Sequence, residues 1–398
     1  MKQTNKCDLK FGVNYVPSKD WFFSWQNFNY GAVDEDLAAI ASLGADHIRM
    51  HLRWDLFHPN NYFVSMPLLL NLRNVLDIAE KYNLKAEVTA LDGWMSGFWF
   101  LPSFIKSANI ITDANMISAE KYFFRKLASV IADHPALMGI DIGNELNMYG
   151  YGIKNFTVEE GDAWLKDIFA EVKALFPNKI NVIGVDHQPW YGDAYFSRRT
   201  LTNSGSATSL HSWVKFTDAL RYGIFSEESL TLQEFNVEIA NAYACDTRRK
   251  VWIQEFGISP QWTEKENFER FVYESMLNAT RSENLMGFTF WCSHDIDRKF
   301  VFDEIEYDLG LFDVSNNIKP IGKIYAEAVK KIRSGEKPKP LKGGKAYIID
   351  ESRPFEGWEY ARKFSDEVRR GNHVKFVLSS DSDDAEYLKS RGITEIVR

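Results

Sequence analysis

The chain has 398 residues, with 47 Lys and Arg against 55 Asp and Glu for a formal charge of −8, and 45% of it is hydrophobic. This is ordinary globular composition, and an acidic balance without a basic run gives no electrostatic footprint for nucleic acid or for an anionic membrane surface. No apolar stretch reaches the roughly 20 residues of a membrane span. The polar opening MKQTNKCDLKFGVNY turns straight into a strand pattern without the apolar core of a secretory leader, so cytoplasmic residence is expected. Cys7, Cys245 and Cys292 fall in no metal-ligand or disulfide spacing and read as reduced thiols. Aromatics are plentiful: 29 Phe, 17 Tyr and 12 Trp make up 15% of the chain. Such a surplus fills core and also supplies the flat faces on which sugars stack.

From residue 11 to about 333 short β-branched runs alternate with longer helical patterns, the signature of βα units and a parallel sheet. Eight strands are expected, at 11–17, 47–54, 85–93, 137–145, 180–186, 207–213, 251–257 and 287–295. Helical patterns fall at 34–43, 68–82, 119–132 and 158–175, and a closing helix at 320–332. Eight units in one run favour a closed (β/α)8 barrel over an open sheet, because closure gives every strand two neighbours and leaves no bare edge. The barrel domain is accordingly assigned to residues 1–335. SGEKPKPLKGGK then reads as a linker, 336–345. Residues 346–398 read strand, helix, strand, helix, strand, a small βαβαβ piece. It buries too little to stand alone, so it is expected to dock on the barrel or to mediate homo-oligomerisation.

In such a barrel the chemistry gathers at the C-terminal ends of the strands. Glu145 closes the fourth strand in GIDIGNELN and Glu255 closes the seventh in VWIQEFGIS. Either carboxylate alone would serve as an ion-pair partner or a helix cap. Together across one mouth they are what glycosidic-bond hydrolysis requires: one protonates the leaving oxygen while the other attacks C1 or activates water. A separation of about 5 to 5.5 Å would mean retention of configuration. Asn144, next to Glu145, adds an amide that can meet the hydroxyl beside the anomeric carbon. There is no HExxH, no phosphate loop and no strand followed by GxGxxG, so neither metal nor cofactor is expected.

GNE after strand four with QEFG after strand seven resembles the retaining glycoside hydrolases of clan A, and within them glycoside hydrolase family 5, over residues 8 to 333. The resemblance implies a double displacement with Glu145 as acid/base and Glu255 as nucleophile. It further implies that Arg49 on strand two keeps the nucleophile ionised, that Asn144 meets the 2-hydroxyl, that His211 lines the same subsite and that Trp291 is its stacking floor. In physical terms Arg49 could equally pair with Asp46 or Asp141, and His211 could be a satisfied core histidine. Two departures from the family pattern stand out. Trp213 occupies the place of a Tyr that would hydrogen-bond the nucleophile, so the role passes to Tyr15, Tyr191 or the indole N–H itself. Strand three ends in TALDGWMSGFW without the usual His; Asp92 and Trp94 stand there, and Asp92 would suit a blocked, exo-type pocket.

The opening GVNYVPSKDWFFSW, the HPNN after Trp54 and the aromatic loop after strand three are similar to the intracellular β-mannosidase-like branch of family 5. In that branch Trp21, Trp25, Trp94 and Trp99 would close the pocket over a short β-linked oligosaccharide. The reading is thus a retaining exo-β-glycosidase, a β-mannosidase by resemblance. An endo-β-1,4-glycanase on glucan or mannan and a non-catalytic sugar-binding barrel are the rival readings.

Overall fold

The computed structural model describes residues 8–397 except 106–107 and 302, and Cys7 lies outside the described residues. Eight parallel strands form the central sheet: β1 (Lys10–Tyr15), β2 (His47–Arg53), β3 (Lys85–Asp92), β4 (Leu137–Asp141), β5 (Ile180–Val182), β6 (Thr208–His211), β7 (Val251–Phe256) and β8 (Leu285–Phe290). Their order is β5-β4-β3-β2-β1-β8-β7-β6. Between the two end strands the ring is completed by the Ser206 amide donating to the Asn181 carbonyl at 2.7 Å and by the Ser209 hydroxyl donating to the Ile183 carbonyl. The expected (β/α)8 barrel is what forms.

The strands stop earlier than their apolar patterns suggest, β4 at Asp141 and β8 at Phe290. Toward the C-terminal rim side chains take over the backbone's hydrogen bonds: the Val16 amide donates to Ser293 Oγ at 2.9 Å and the Gly184 amide to Asp141 Oδ1 at 2.8 Å. Splayed strand ends make room for a site, and polar side chains keep the exposed backbone satisfied.

Helices Tyr30–Ser42, Met66–Lys81, Ala114–Ile131, Val158–Leu175 and Pro320–Arg333 match the five expected ones to within a few residues. Local chemistry sets their starts: Asn29 accepts from the Ala32 amide, Asp113 from two amides, and Thr157 with Glu160 forms a reciprocal capping box. The helix Leu232–Tyr243 gave no helical signal in the sequence because it has no solvent face. Every one of its twelve residues is buried.

What buries it is the C-terminal unit. Strands β9 (Lys342–Ile349), β10 (Asn372–Leu378) and β11 (Glu395–Val397) form a parallel sheet in the order β10-β9-β11, with helix Gly357–Arg369 packed on it. The first of these strands begins inside the segment read as linker. Phe235 packs on Phe364 and Phe376, so one apolar core runs through both parts. The buried polar groups of the same helix are matched from both sides of the junction. Glu234 pairs with Arg281 at 2.7 Å and lies 3.2 Å from the His373 imidazole, and Glu238 faces Arg391 at 3.6 Å. A buried carboxylate without such a partner would be costly.

Among the described residues no helix is long and apolar enough to cross a membrane. Cys245 is exposed and Cys292 buried, both unpaired with each other.

The junction predicts a pH dependence. Burial opposes charge on His373, but Glu234 and Glu238 outweigh burial and the repulsion of Lys375, so its pKa is raised above 6.5. Its ion pairing therefore contributes fully below about pH 6.5 and is lost as pH rises through the folded-state pKa. The melting-temperature difference between the native protein and His373→Asn should be largest near pH 5.5 and shrink above pH 7.

Candidate active site

Arg49 is the centre of the site. It points into the barrel from β2, wholly buried, and its guanidinium donates to Glu255 Oε1 at 2.5 Å, Asp141 Oδ2 at 2.7 Å, Asn144 Oδ1 at 2.8 Å and Asn14 Oδ1 at 2.9 Å. Of the two alternatives open in the sequence, Asp141 is thus a partner, while Asp46 pairs with Arg333 instead. Burial works against the guanidinium's charge, yet Asp141, Glu255 and Glu87 together hold its pKa above the ordinary arginine value.

Glu255 ends β7 facing this cation. Its second oxygen, Oε2, accepts from the Trp213 indole N–H at 3.3 Å and lies 3.3 Å from His211 Nδ1. The indole thereby takes the place of the missing Tyr, while the Tyr15 and Tyr191 hydroxyls are committed elsewhere, to Asp36 and Asn236. Burial pushes Glu255 above the usual carboxylate range; His211 and Arg49 pull it back without cancelling that effect.

Glu145 stands four residues past the end of β4, at a positive φ of 46°. That conformation costs free energy for a residue with a Cβ and persists where neighbours over-determine it. The neighbours here are His211 Nδ1, 2.9 Å from Oε1, and the Trp94 indole N–H, which donates to Oε2 at 3.1 Å. Asn144 is fixed from both ends, accepting from Arg49 and donating to the Trp94 carbonyl at 2.9 Å. The Glu145 carboxyl is pushed up to about 7, first by burial and then by Asp186, against the smaller pull of His187, Trp94 and Arg49. Two carboxylates on one site therefore differ: one faces a guanidinium, and the other keeps its proton near neutrality.

His211 bridges them. Burial keeps its pKa below the ordinary value, and its Nε2 faces Gln254 Oε1 at 3.2 Å. One oxygen each of Glu145 and Glu255 and one His211 nitrogen lie within 4.8 Å of one another, close enough for a cation, although Arg49 already supplies positive charge on Glu255. A second such group, Asp77, Glu80 and His134, sits away from the mouth, on the helix Met66–Lys81 and the turn before β4.

The pocket above the two carboxylates has a volume of about 520 Å³ and is walled by Trp94, Asn144, Trp213, Trp291, Phe216, Trp262, Ser96, Leu309 and Glu306. Trp291 is held edge-on by His51, whose Nδ1 meets Asp92 at 2.7 Å. Asp92, expected on the pocket wall, is thus buried beneath it, and burial raises its pKa well above the usual range. The tryptophans also sort differently from expectation. Only Trp94 of the four lines the pocket; Trp99 packs against it at a tilt of 52° with ring centres 4.6 Å apart. Trp25 is buried with its N–H on the His51 carbonyl, and Trp21 packs on Phe22, Phe98 and Phe100.

Glu306 was not legible in the sequence. It reaches the pocket from the loop after β8 and is pushed up to about 8 by burial, with Glu255, Asp303 and Glu145 adding to it and Ser96 opposing. Nothing in DEIEYD distinguishes it from a solvated acidic loop. Trp262, by contrast, lay in the loop after strand seven, where the barrel rule would have found it.

The description "Cellulase (glycosyl hydrolase family 5)" matches residues 9–296. The chain belongs to glycoside hydrolase family 5. Solved structures agree with this family 5 assignment. A GH5_18 protein of Streptomyces cattleya, in complex with GlcNAc, is 31% identical with a TM-score of 0.92, 98% of each chain being covered. A variant of it is in complex with Manβ1-4GlcNAc. A GH5_18 protein of Bifidobacterium longum subsp. infantis is 31% identical with a TM-score of 0.90, over 98% of this chain and 96% of the other. The exo-β-1,4-mannosidase Op5Man5 of Opitutaceae bacterium strain TAV5, at 21% identity and a TM-score of 0.77 over 93% and 69%, shares the fold. No curated protein matched. This family 5 chain is a glycoside hydrolase.

Because Arg49 is the counter-charge for two buried carboxylates, Arg49→Ala leaves both uncompensated. Chemical denaturation should show a loss of about 3–5 kcal/mol.

Proposed function

We propose that this enzyme removes a terminal β-mannosyl unit from a short oligosaccharide with retention, by double displacement. The observation that carries the reading is the spacing of the two carboxylates: oxygens of Glu145 and Glu255 lie within 4.8 Å, with His211 between them. That fits the short separation of retaining glycosidases rather than the wider one of inverting enzymes.

In the first step a Glu255 oxygen attacks C1 as the C1–O bond breaks, and the Glu145 proton passes to the leaving oxygen. Glu145, now a carboxylate, then takes a proton from water, whose oxygen attacks C1 and releases Glu255. Arg49 and the Trp213 N–H stay on Glu255 throughout, orienting it and balancing its charge. Trp291 offers the flat floor for the sugar, and Asn144 presents its amide beside C1. The mannose assignment rests on the likeness to GH5_18 proteins, one of them in complex with Manβ1-4GlcNAc. Exo action is supported by the walls that Trp94, Ser96, Leu309 and Glu306 raise around the pocket.

Turnover of para-nitrophenyl β-mannoside, β-glucoside, β-galactoside and β-xyloside, with the released anomer followed by NMR, tests this reading. The expected result is preference for the mannoside with β-mannose released first. Release of α-mannose first would overturn the double displacement, and preference for another glycoside would overturn the sugar.

The protonation states add a second test. Glu145 must be protonated, so kcat/KM falls as pH rises through about 7; Glu255 must be ionised, so it falls again below a limb lying above the ordinary glutamate pKa. Glu145→Gln should remove the alkaline limb on a dinitrophenyl mannoside, whose leaving group needs no acid. Glu255→Ala should lose roughly 10³-fold or more on every substrate.

A further inference from the structure

Next to the catalytic pocket lies a second depression, an open groove of about 830 Å³ between the loop after β5, the loop after β6 and the C-terminal unit. His187, Tyr191, Asp193, Phe216, Asp218 and Trp358 line it. Phe216 lines the catalytic pocket as well, so the two spaces adjoin at its ring. The loop after β5 lies on the Glu145 side of the pocket: the Leu146 amide donates to the Gly184 carbonyl at 3.3 Å and the Asn147 side-chain amide to Asp186 Oδ1 at 2.7 Å, and Asp186 and His187 both act on the Glu145 carboxyl. The group that protonates the leaving oxygen stands on the leaving-group side, so the groove extends the path of the leaving group and not of the sugar being transferred.

Its surfaces have the character of a sugar site. Phe216 is 45% exposed and lies parallel to the His187 ring at 19°, and the Trp358 indole is held 6.0 Å from the Tyr191 ring. Among these flat apolar faces stand the carboxylates of Asp193, paired with Arg198 at 3.0 Å, and Asp218, paired with Arg221 at 3.2 Å, whose remaining lone pairs can accept from hydroxyls. Trp358 is brought here from the C-terminal unit by a close backbone approach. The Gly357 amide donates to the Tyr191 carbonyl at 3.0 Å, and a Cβ at position 357 would come within 2.4 Å of the Trp190 carbonyl oxygen. A side chain at 357 would push the helix, and the indole with it, off the groove.

We propose that this groove is a subsite for the second leaving-group sugar, a β-linked pyranose one unit beyond the sugar cleaved from the mannosyl group, with Trp358 of the C-terminal unit as its stacking face. The proposal rests on the reading of Glu145 as the acid. It gives the C-terminal unit a part in substrate binding and favours a trisaccharide over a disaccharide.

The test compares native protein, Trp358→Ala and Trp358→Phe on para-nitrophenyl β-mannoside, Manβ1-4GlcNAc and Manβ1-4GlcNAcβ1-4GlcNAc. Native kcat/KM should be roughly tenfold higher on the trisaccharide than on the disaccharide. In Trp358→Ala that advantage should vanish, with the loss on the trisaccharide at least fivefold larger than on the aryl mannoside, and Trp358→Phe should restore most of it. Equal native turnover of disaccharide and trisaccharide, or an equal loss on all three substrates, overturns the proposal. Calorimetric binding of GlcNAcβ1-4GlcNAc against GlcNAc separates the two readings. Tighter binding of the disaccharide that depends on Trp358 supports the groove even if no mannoside is turned over, a result that would overturn only the mannosidase reading. Equal binding of the two overturns the groove.

Discussion

The guanidinium of Arg49 ties four strands of the barrel to one point: Asn14 on β1, Arg49 itself on β2, Asp141 on β4 and Glu255 on β7, with Asn144 just beyond β4. A buried cation survives only where anions and oriented oxygens repay its desolvation, and here its partners come from three separate parts of the chain. The barrel's interior is for that reason polar toward its mouth. Around this cation stand more carboxyl groups than it can neutralise: Glu87, Asp92, Asp141, Glu145, Glu255 and Glu306. Glu87 and Asp92 are pushed up first by burial and further by their like-charged neighbours, against the pull of Arg49. The raised pKa of Glu145 belongs to the same imbalance, since burial and Asp186 outweigh the reach of Arg49. One cation among several acids is thus enough to give two glutamates different protonation states.

The same economy appears at the junction with the C-terminal unit. The helix Leu232–Tyr243 is buried on all sides, which is tolerable for Glu234 and Glu238 only because Arg281, His373 and Arg391 meet them. The apolar contacts of Phe235 then make the junction continuous with the barrel core. A three-stranded sheet whose own apolar cluster, around Ala346, Val377 and Ile393, is small gains a larger core by sharing the barrel's.

Much of this was readable in one dimension. The eight-strand rhythm, the helices and both glutamates follow from local pattern, because strand and helix periods need only neighbours a few residues away. Arg49, Asn144, His211 and Trp291 were legible through the resemblance to family 5, and Trp94 and Trp213 as departures from it; the structure brings all six to one mouth. Asp92 was misplaced because a strand's pleat alternates, and its carboxylate turned under Trp291 to hold His51. Trp21 and Trp25 were misplaced because an aromatic in a long loop packs wherever apolar surface is open, and the loop's path is not a local property.

By itself, then, the sequence determined the barrel, the positions of Glu145 and Glu255 and the class of chemistry they imply, all of which depend on periodicity and on strand ends. Tertiary structure alone decided which acid keeps its proton, that Glu306 enters the pocket, that the Trp213 indole replaces a hydroxyl and that Trp358 reaches the groove. Each of these depends on distances between groups remote in the chain. Burial and Coulomb interaction act through space, and sequence separation carries no record of them.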